Sequence, residues 1–210
     1  MLKNHDGRKA LERQQLETNL RKLIAGMKTS VDAKYEGPDG YADWVDTWSE
    51  DFGLTSQIDA CLVGARMYPG YEKYWSAIQL APDEPLPMTG KRATAEELRW
   101  ARFAQQTTHY VLSRMLTSAD WPKTEFVRRL EDVEALKHLP GKDIYVMGGA
   151  GLVVGLLEAG LVDEIRLIVY PLIAGKGKDL FSGTNIRRAL ELRKVQEMKD
   201  GCVRLDYGVR

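Results

Sequence analysis

Residues 143–160, reading DIYVMGGAGLVVGLLEAG, constrain the fold more than any other part of the chain. The apolar run 144–147 has the unbroken hydrophobicity of a strand buried on both faces. It passes directly into Gly148-Gly149 and then into a helical segment, 151–159, whose Leu152, Leu156 and Leu157 form a core-facing stripe. Glycines at a strand-to-helix turn let a ligand approach the backbone closely. The helix start that follows offers unpaired N–H groups and the positive end of a dipole, a setting suited to a pyrophosphate. The spacing is not the Gly-x-Gly-x-x-Gly of the Rossmann turn. Taken alone, the glycine pair also fits a tight structural turn.

Short apolar runs alternate with helical segments along the rest of the chain. Strands are expected at 23–27, 59–63, 110–112, 124–127 and 164–170 in addition to 144–147. Helices are expected at 67–78, at 129–138 and at 41–52, where Trp44, Val45 and Trp48 fall at i, i+1 and i+4. Thr94 followed by Glu97 has the form of a capping box for a helix running to about Gln105. Residues 81–92 carry Pro82, Pro85, Pro87 and Gly90 and read as a surface loop. The tail, 190–198 and 202–209, breaks at Lys199-Asp200-Gly201, where Asp-Gly is a hairpin signal. Strands alternating with helices imply an α/β fold of three layers, a mostly parallel central sheet with a C-terminal antiparallel hairpin. In such sheets ligands bind outside the carboxyl ends of the strands.

The 210 residues suffice for one domain with an appendage. Residues 1–20 read as an N-terminal helical extension, rich in Glu, Gln, Arg and Leu from Arg8 to Leu20, and 21–210 as the domain itself. A surface helix and a partner-binding helix are both open for the extension. Thirty Lys and Arg balance 30 Asp and Glu, so no global field points to nucleic acid or to an anionic membrane. No apolar run approaches the ~20 residues of a membrane span. The N-terminus is charged where a signal peptide needs an apolar core, so a cytoplasmic protein is expected. Cys61 and Cys202 each sit in an apolar, strand-like stretch and read as buried free thiols. No Cys, His and carboxylate cluster has ligand spacing, so no metal is expected, and no Gly-x-Ser-x-Gly nucleophile motif occurs.

Two further junctions stand at carboxyl ends of strands. Ser113-Arg114 pairs a hydroxyl with a guanidinium, a set that holds an exposed phosphate through charge-assisted hydrogen bonds. Such a pair suits the 2′-phosphate that separates NADPH from NADH; a solvated loop arginine is the alternative. At 62–66, Gly64 permits close approach and Arg66 supplies charge, or they are a helix-start glycine and a surface cation. Together the three junctions describe one edge lined with glycines and arginines.

Over 21–210 the chain resembles the dihydrofolate-reductase-like reductases related to the C-terminal domain of the bifunctional riboflavin-biosynthesis deaminase–reductase. The resemblance rests on Leu136-Lys137, Pro140-Gly141-Lys142-Asp143-Ile144, Gly148-Gly149-Ala150 and Gly160-Leu161-Val162-Asp163-Glu164. It continues through Pro171, Gly175-Lys176-Gly177, Leu180-Phe181, the strand end Val111-Leu112-Ser113-Arg114 and the segment 64–75, GARMYPGYEKYW. It implies NADPH bound across Gly64, Arg66, Ser113, Arg114, Gly148, Gly149, Ala150, Gly151 and Leu152. It implies hydride transfer to a small heterocycle, a pterin or pyrimidine, as in 5-amino-6-(5-phosphoribosylamino)uracil reductase or dihydrofolate reductase, and a homodimer. A non-catalytic NADP(H)-binding or assembly protein of the same fold is the alternative. Two positions depart from the pattern: Ala65 stands where arginine is usual, and Ala33 follows Asp32 where glycine is usual.

The resemblance also places the substrate near the first strand. Asp32, which follows that strand, is the first candidate for a catalytic, substrate-orienting carboxylate, with an ordinary Asx turn as the alternative. Trp44 and Trp48 are substrate-stacking candidates or core residues. Asp43, Asp46, Glu50 and Asp51 lie beside them, none singled out.

Overall fold

A run that is apolar without alternation has no face to give to water, and the sheet places such runs at its centre. The computed structural model describes residues 20–45, 47–48, 52–86 and 89–210. All but the last residue of the extension, together with Asp46, Glu50 and Asp51, lie outside the described residues. Strand β1 (Leu23–Ser30) is buried at all eight positions and extends three residues beyond the expected end. It lies between β6 (Asp143–Val146) and β7 (Glu164–Tyr170), parallel to both, in register Ala25↔Val146 and Met27↔Leu167. Beyond β6 come β3 (Ile58–Gly64), β4 (Thr108–Leu112) and β5 (Thr124–Val127), all parallel. Beyond β7 come β10 (Val203–Val209) and β9 (Leu190–Glu197), both antiparallel, giving the order β5-β4-β3-β6-β1-β7-β10-β9.

Helices cover both faces of the parallel part. On one face α3 (Leu130–Lys137) and α4 (Ala150–Glu158) pack Val133, Leu136, Val153, Leu156 and Leu157 against Leu23, Ala25 and Leu62. On the other, α1 (Tyr68–Leu80) and α2 (Ala95–Gln106) bring Tyr71, Tyr74, Trp75 and Trp100 onto Ile24, Cys61 and Tyr145. The Thr94–Glu97 capping box has both of its bonds. Between β9 and β10, Asp200 (φ 58°) and Gly201 (φ 74°) are both left-handed, the geometry that makes Asp-Gly a hairpin signal. A small antiparallel ribbon, β2 (Lys34–Glu36) with β8 (Lys178–Asp179), was not legible in the sequence, being short and polar.

The helix expected over 41–52 is not formed by its described residues, which make turns and irregular backbone. Val45 N–H donates to the Ala42 carbonyl at 3.1 Å, a turn that does not propagate. The next described peptide is claimed from outside: Lys28 Nζ donates to the Thr47 carbonyl at 3.0 Å, and Trp48 N–H donates to Glu97 Oε1 at 3.1 Å. Both groups belong to one peptide unit, so buried side chains replace its helical partners. Tertiary bonding has overridden the Trp periodicity.

The antiparallel end is built with the opposite polarity. Leu167, Leu205 and Val195 lie in register with Met27 on the α3–α4 side, which no described helix covers there. Leu192 and Val195 are 53% and 56% exposed. On the reverse face Glu164, Arg166, Arg204 and Asp206 are buried. Arg166 meets Glu164 Oε1 at 2.6 Å, the Phe52 carbonyl at 2.7 Å and Gln57 Oε1 at 3.0 Å, while Arg204 Nε lies 3.0 Å from Asp206 Oδ1.

Candidate functional site

Because β1, β3, β4 and β6 are parallel, their carboxyl ends share one edge, and the junctions singled out in the sequence lie along it. After β6, Gly148 has φ 100° and Gly149 is the N-cap of α4 with φ −72°, so only Gly148 needs glycine's conformational freedom; the peptide joining them is cis. Gly64 N–H donates to the Gly148 carbonyl at 3.1 Å, which ties the β3 end to this turn. A Cβ on Gly64 would stand 3.5 Å from Leu152 Cβ and 3.6 Å from Gly149 N. Gly149 and Gly151 differ: a Cβ on either meets nothing within 4 Å. Leu152 and Val153 N–H both return to the Gly149 carbonyl, and the N–H groups of Ala150 and Gly151 precede the first of these bonds at the start of α4. Bare backbone, open volume and a helix dipole together fit a pyrophosphate.

The register Gly64↔Leu112 sets Ser113 and Arg114 next along the same edge. Ser113 is buried, and its Oγ accepts Met115 N–H at 3.2 Å and Leu116 N–H at 2.9 Å, leaving its own O–H to donate. Arg114 is exposed. They line a cleft of about 230 Å³ with Leu112, Arg128, Arg129 and Leu130. In the sequence Arg129 opens the expected helix 129–138 and Arg128 falls between it and strand 124–127, so neither stands out as a site residue. Their signal was an Arg-Arg pair directly after strand 124–127, a strand-to-helix junction like those at Gly64 and Gly148.

Arg66 is exposed and sits within electrostatic reach of Tyr35 and Lys178 on the β2–β8 ribbon. Burial, and next the Glu36 carboxylate, push the Tyr35 phenol above its usual range. The hydrogen bond to Glu36 raises the Lys178 ammonium, and the two form an ion pair. Tyr35, Leu152 and Phe181 pack on the same apolar cluster, so the ribbon borders the α4 end of the edge.

Asp32 has both carboxylate oxygens engaged by its own chain. Oδ1 accepts Ser30 Oγ–H at 2.6 Å and Ala174 N–H at 2.9 Å, and Oδ2 accepts Gly175 N–H at 2.8 Å. The Ser30 hydroxyl, and then the Ala174 N–H, bring its pKa down to about 2. These partners are not those of an Asx turn: Asp32 cross-links the end of β1 to the loop at 174–175, and Lys34 N–H goes to Ser30 Oγ instead. Trp44 is half-buried against Gly37, 3.7 Å from where a Cβ would stand, and Trp48 is 41% exposed on the peptide held by Lys28 and Glu97. The geometry thus gathers Gly64, Gly148, Gly149, Ala150, Gly151 and Leu152 and sets Ser113 and Arg114 beside them, while Trp44 lies against Gly37 and Trp48 on the peptide bonded to Glu97. Among the described residues no group of three or more His, Cys, Asp or Glu is placed to hold a metal, and no helix is long and apolar enough to cross a membrane.

Comparison with known proteins places this edge in context. Residues 21–204 match the model of the RibD C-terminal domain. The chain is 31% identical over 192 residues to the uncharacterized protein YyaP of Bacillus subtilis strain 168, covering 89% of this chain and 94% of that one. A putative riboflavin biosynthesis protein from Shewanella sp. PV-4 superposes with a TM-score of 0.64 at 18% identity, over 90% of this chain and 99% of the other. The deaminase and 5-amino-6-(5-phosphoribosylamino)uracil reductase of Thermotoga maritima gives 0.61 at 17% identity, over 92% of this chain and 58% of that longer one. A pyrimidine reductase-like protein from Corynebacterium diphtheriae gives 0.58 at 16% identity, over 92% and 93%. At these identities the solved structures establish a shared fold, and the family match over most of the chain establishes kinship: the protein belongs to the RibD C-terminal domain family.

Proposed function

We propose that the protein is an NADPH-dependent reductase of a small heterocyclic substrate, a pterin, a pyrimidine or a related compound. The family supports a reductase, and the names of the Thermotoga and Corynebacterium proteins support the pyrimidine class. The observation that carries the cofactor is the open space over Gly149 and Gly151, beside a cleft lined by Ser113 and Arg114. There the first N–H groups of α4 would hold the pyrophosphate, and Ser113 Oγ–H and Arg114 the 2′-phosphate. NADPH, when bound, supplies a hydride. The chain's own part is to hold acceptor and nicotinamide face to face. Asp32 takes a supporting role: it fastens the loop at Ala174 and Gly175, next to the β2–β8 ribbon, to the end of β1.

The commitment of Asp32 favours a second reading, a NADP(H)-binding protein without turnover, since the leading candidate carboxylate is spoken for and stays ionised down to about pH 2. Calorimetric titration with NADPH and NADH, followed by loss of nicotinamide absorbance against a panel of pterins and pyrimidines, separates the two. NADPH should bind at least about tenfold more tightly, the worth of one charge-assisted contact. Equal affinities would remove the 2′-phosphate assignment, and tight binding with no turnover on any heterocycle would favour the binding protein. In Gly149→Val the new side chain enters open space at a φ that valine adopts readily, so the thermal midpoint should hold while NADPH affinity falls more than about tenfold. Normal NADPH binding by this variant would make the turn purely structural.

We also propose a homodimer. The uncovered apolar face of β7, β10 and β9 supports a second copy as its occupant, because a face presenting Leu192, Val195 and Leu205 in one patch is self-complementary across a two-fold axis.

A further inference from the structure

Arg128 is bound unlike a surface arginine. Its Nη1 donates to the Ser113 carbonyl at 2.8 Å and to the Leu116 carbonyl at 2.6 Å, which uses both hydrogens of that nitrogen. The guanidinium lies 5.3 Å from the centre of the Phe126 ring, within cation–π range. Its backbone is fixed as well: Arg128 and Arg129 N–H both donate to Asp132 Oδ2, at 2.9 and 3.0 Å, in the first turn of α3. The two carbonyls it bridges open and close the turn that Ser113 Oγ organises from inside by accepting Met115 and Leu116 N–H. Arg114, exposed together with Met115, is carried on a turn whose two ends are pinned to one guanidinium.

We propose that Arg128 is the positioning residue for selection of NADPH over NADH. It bridges the 113–116 turn so that Ser113 Oγ–H and Arg114 face the cleft together, with Arg129 on the opposite wall. The proposal rests on the assignment of this cleft to the 2′-phosphate. Arg128 is assigned to the turn because both Nη1 hydrogens are committed to its carbonyls; direct contact of Nε or Nη2 with the phosphate would instead make the double variant clearly weaker than Arg114→Gln and overturn the positioning role. Its role depends on the planar fork, because a lysine ammonium is a point charge that does not reproduce a rigid two-carbonyl bridge backed by a ring.

The test is calorimetric titration of the full chain with NADPH and with NADH, for wild type, Arg114→Gln, Arg128→Gln, Arg128→Lys and Arg114→Gln/Arg128→Gln. Arg128→Gln should weaken NADPH tenfold or more and NADH by less than twofold, and Arg128→Lys should lose selectivity although it keeps the charge. The double variant should bind NADPH within about twofold of Arg114→Gln, because the two residues act as one unit. Selectivity retained in Arg128→Lys would make Arg128 a mere source of charge and overturn the proposal. Equal weakening of both cofactors would make it a general structural residue and overturn it too. Selectivity lost in Arg114→Gln but kept in Arg128→Gln sinks the proposal while the cofactor assignment stands. A wild type without preference removes the assignment and the proposal together. Should Arg128→Gln fail to fold, Arg128→Lys carries the comparison.

Discussion

Strands β3, β6 and β1 carry apolar side chains on both faces and have a helix pair on each, whereas β7 and β10 bury charge on one face, and the other face continues onto the exposed Leu192 and Val195 of β9. In the first region burial of apolar area is complete within the chain and sets the position of the glycine-lined edge. In the second the buried face is held by Arg166, Glu164, Arg204 and Asp206, and the apolar area of Leu192 and Val195 is exposed. One sheet therefore contains a half that is finished within the protomer and a half whose apolar face stays open among the described residues. The candidate site sits on the finished half, so cofactor binding is predicted to be independent of the proposed dimer.

The largest expected effect breaks the charged face. Arg166→Met leaves Glu164 buried with only the half-exposed Arg193 near it and strips the Phe52 carbonyl of its donor, and should lower unfolding free energy by about 3–5 kcal/mol in urea titrations. A loss under about 1 kcal/mol would mean that the network contributes little to holding the antiparallel end.

The covered half should answer to acid. His109 is fully buried, its Nδ1 2.9 Å from the Thr107 carbonyl and its Nε2 2.8 Å from the Tyr71 hydroxyl, and burial brings its pKa down to about 4. The unfolded chain binds this proton near pH 6.5, so stability is complete above that value and is lost as pH falls from about 6.5 towards about 4. The loss is on the order of 3 kcal/mol. Urea midpoints across this window should fall for wild type and less steeply for His109→Gln; parallel slopes would place the acid sensitivity elsewhere.

On the open face, Leu192→Glu should weaken association at least about tenfold in sedimentation equilibrium while leaving NADPH affinity unchanged, since an interface centre tolerates an unpaired charge poorly. A monomeric wild type at micromolar concentration would assign the face to something other than a second copy. The smallest effect lies at the rim, where Ala33 has φ 60°, a conformation costly for any residue with a Cβ. Ala33→Gly should gain about 1 kcal/mol or less, read from the thermal midpoint, because relief of strain is partly offset by glycine's greater chain entropy.

The central strands were legible because each is an unbroken apolar run, and the hairpin and capping box because Asp200-Gly201 and Thr94–Glu97 act over a few residues. Residues 41–52 misled because Trp44, Val45 and Trp48 are spaced like a helical stripe. What decides their backbone is Lys28 and Glu97, the second 49 residues away from Trp48. At the site, glycine positions were readable from their place after strands. The partners of Asp32 belong to neither reading, because Ala174 and Gly175 lie 142 and 143 residues further on. Arg128 escaped notice for a related reason: its partners are carbonyl oxygens, and no sequence pattern marks a carbonyl that needs a donor.

Glu97 serves two structures at once. Oε2 takes the Thr94 N–H that closes the first turn of α2, and Oε1 takes both Trp48 N–H and the Tyr74 hydroxyl. Fraying of that helical turn and release of the Trp48 peptide are therefore a single opening event. In native-state hydrogen exchange the amides of Thr94 and Trp48 should share one opening free energy, below that of the β1 amides. A carboxylate that began as a helix cap has become the clock for how often this wall of the protein lets go.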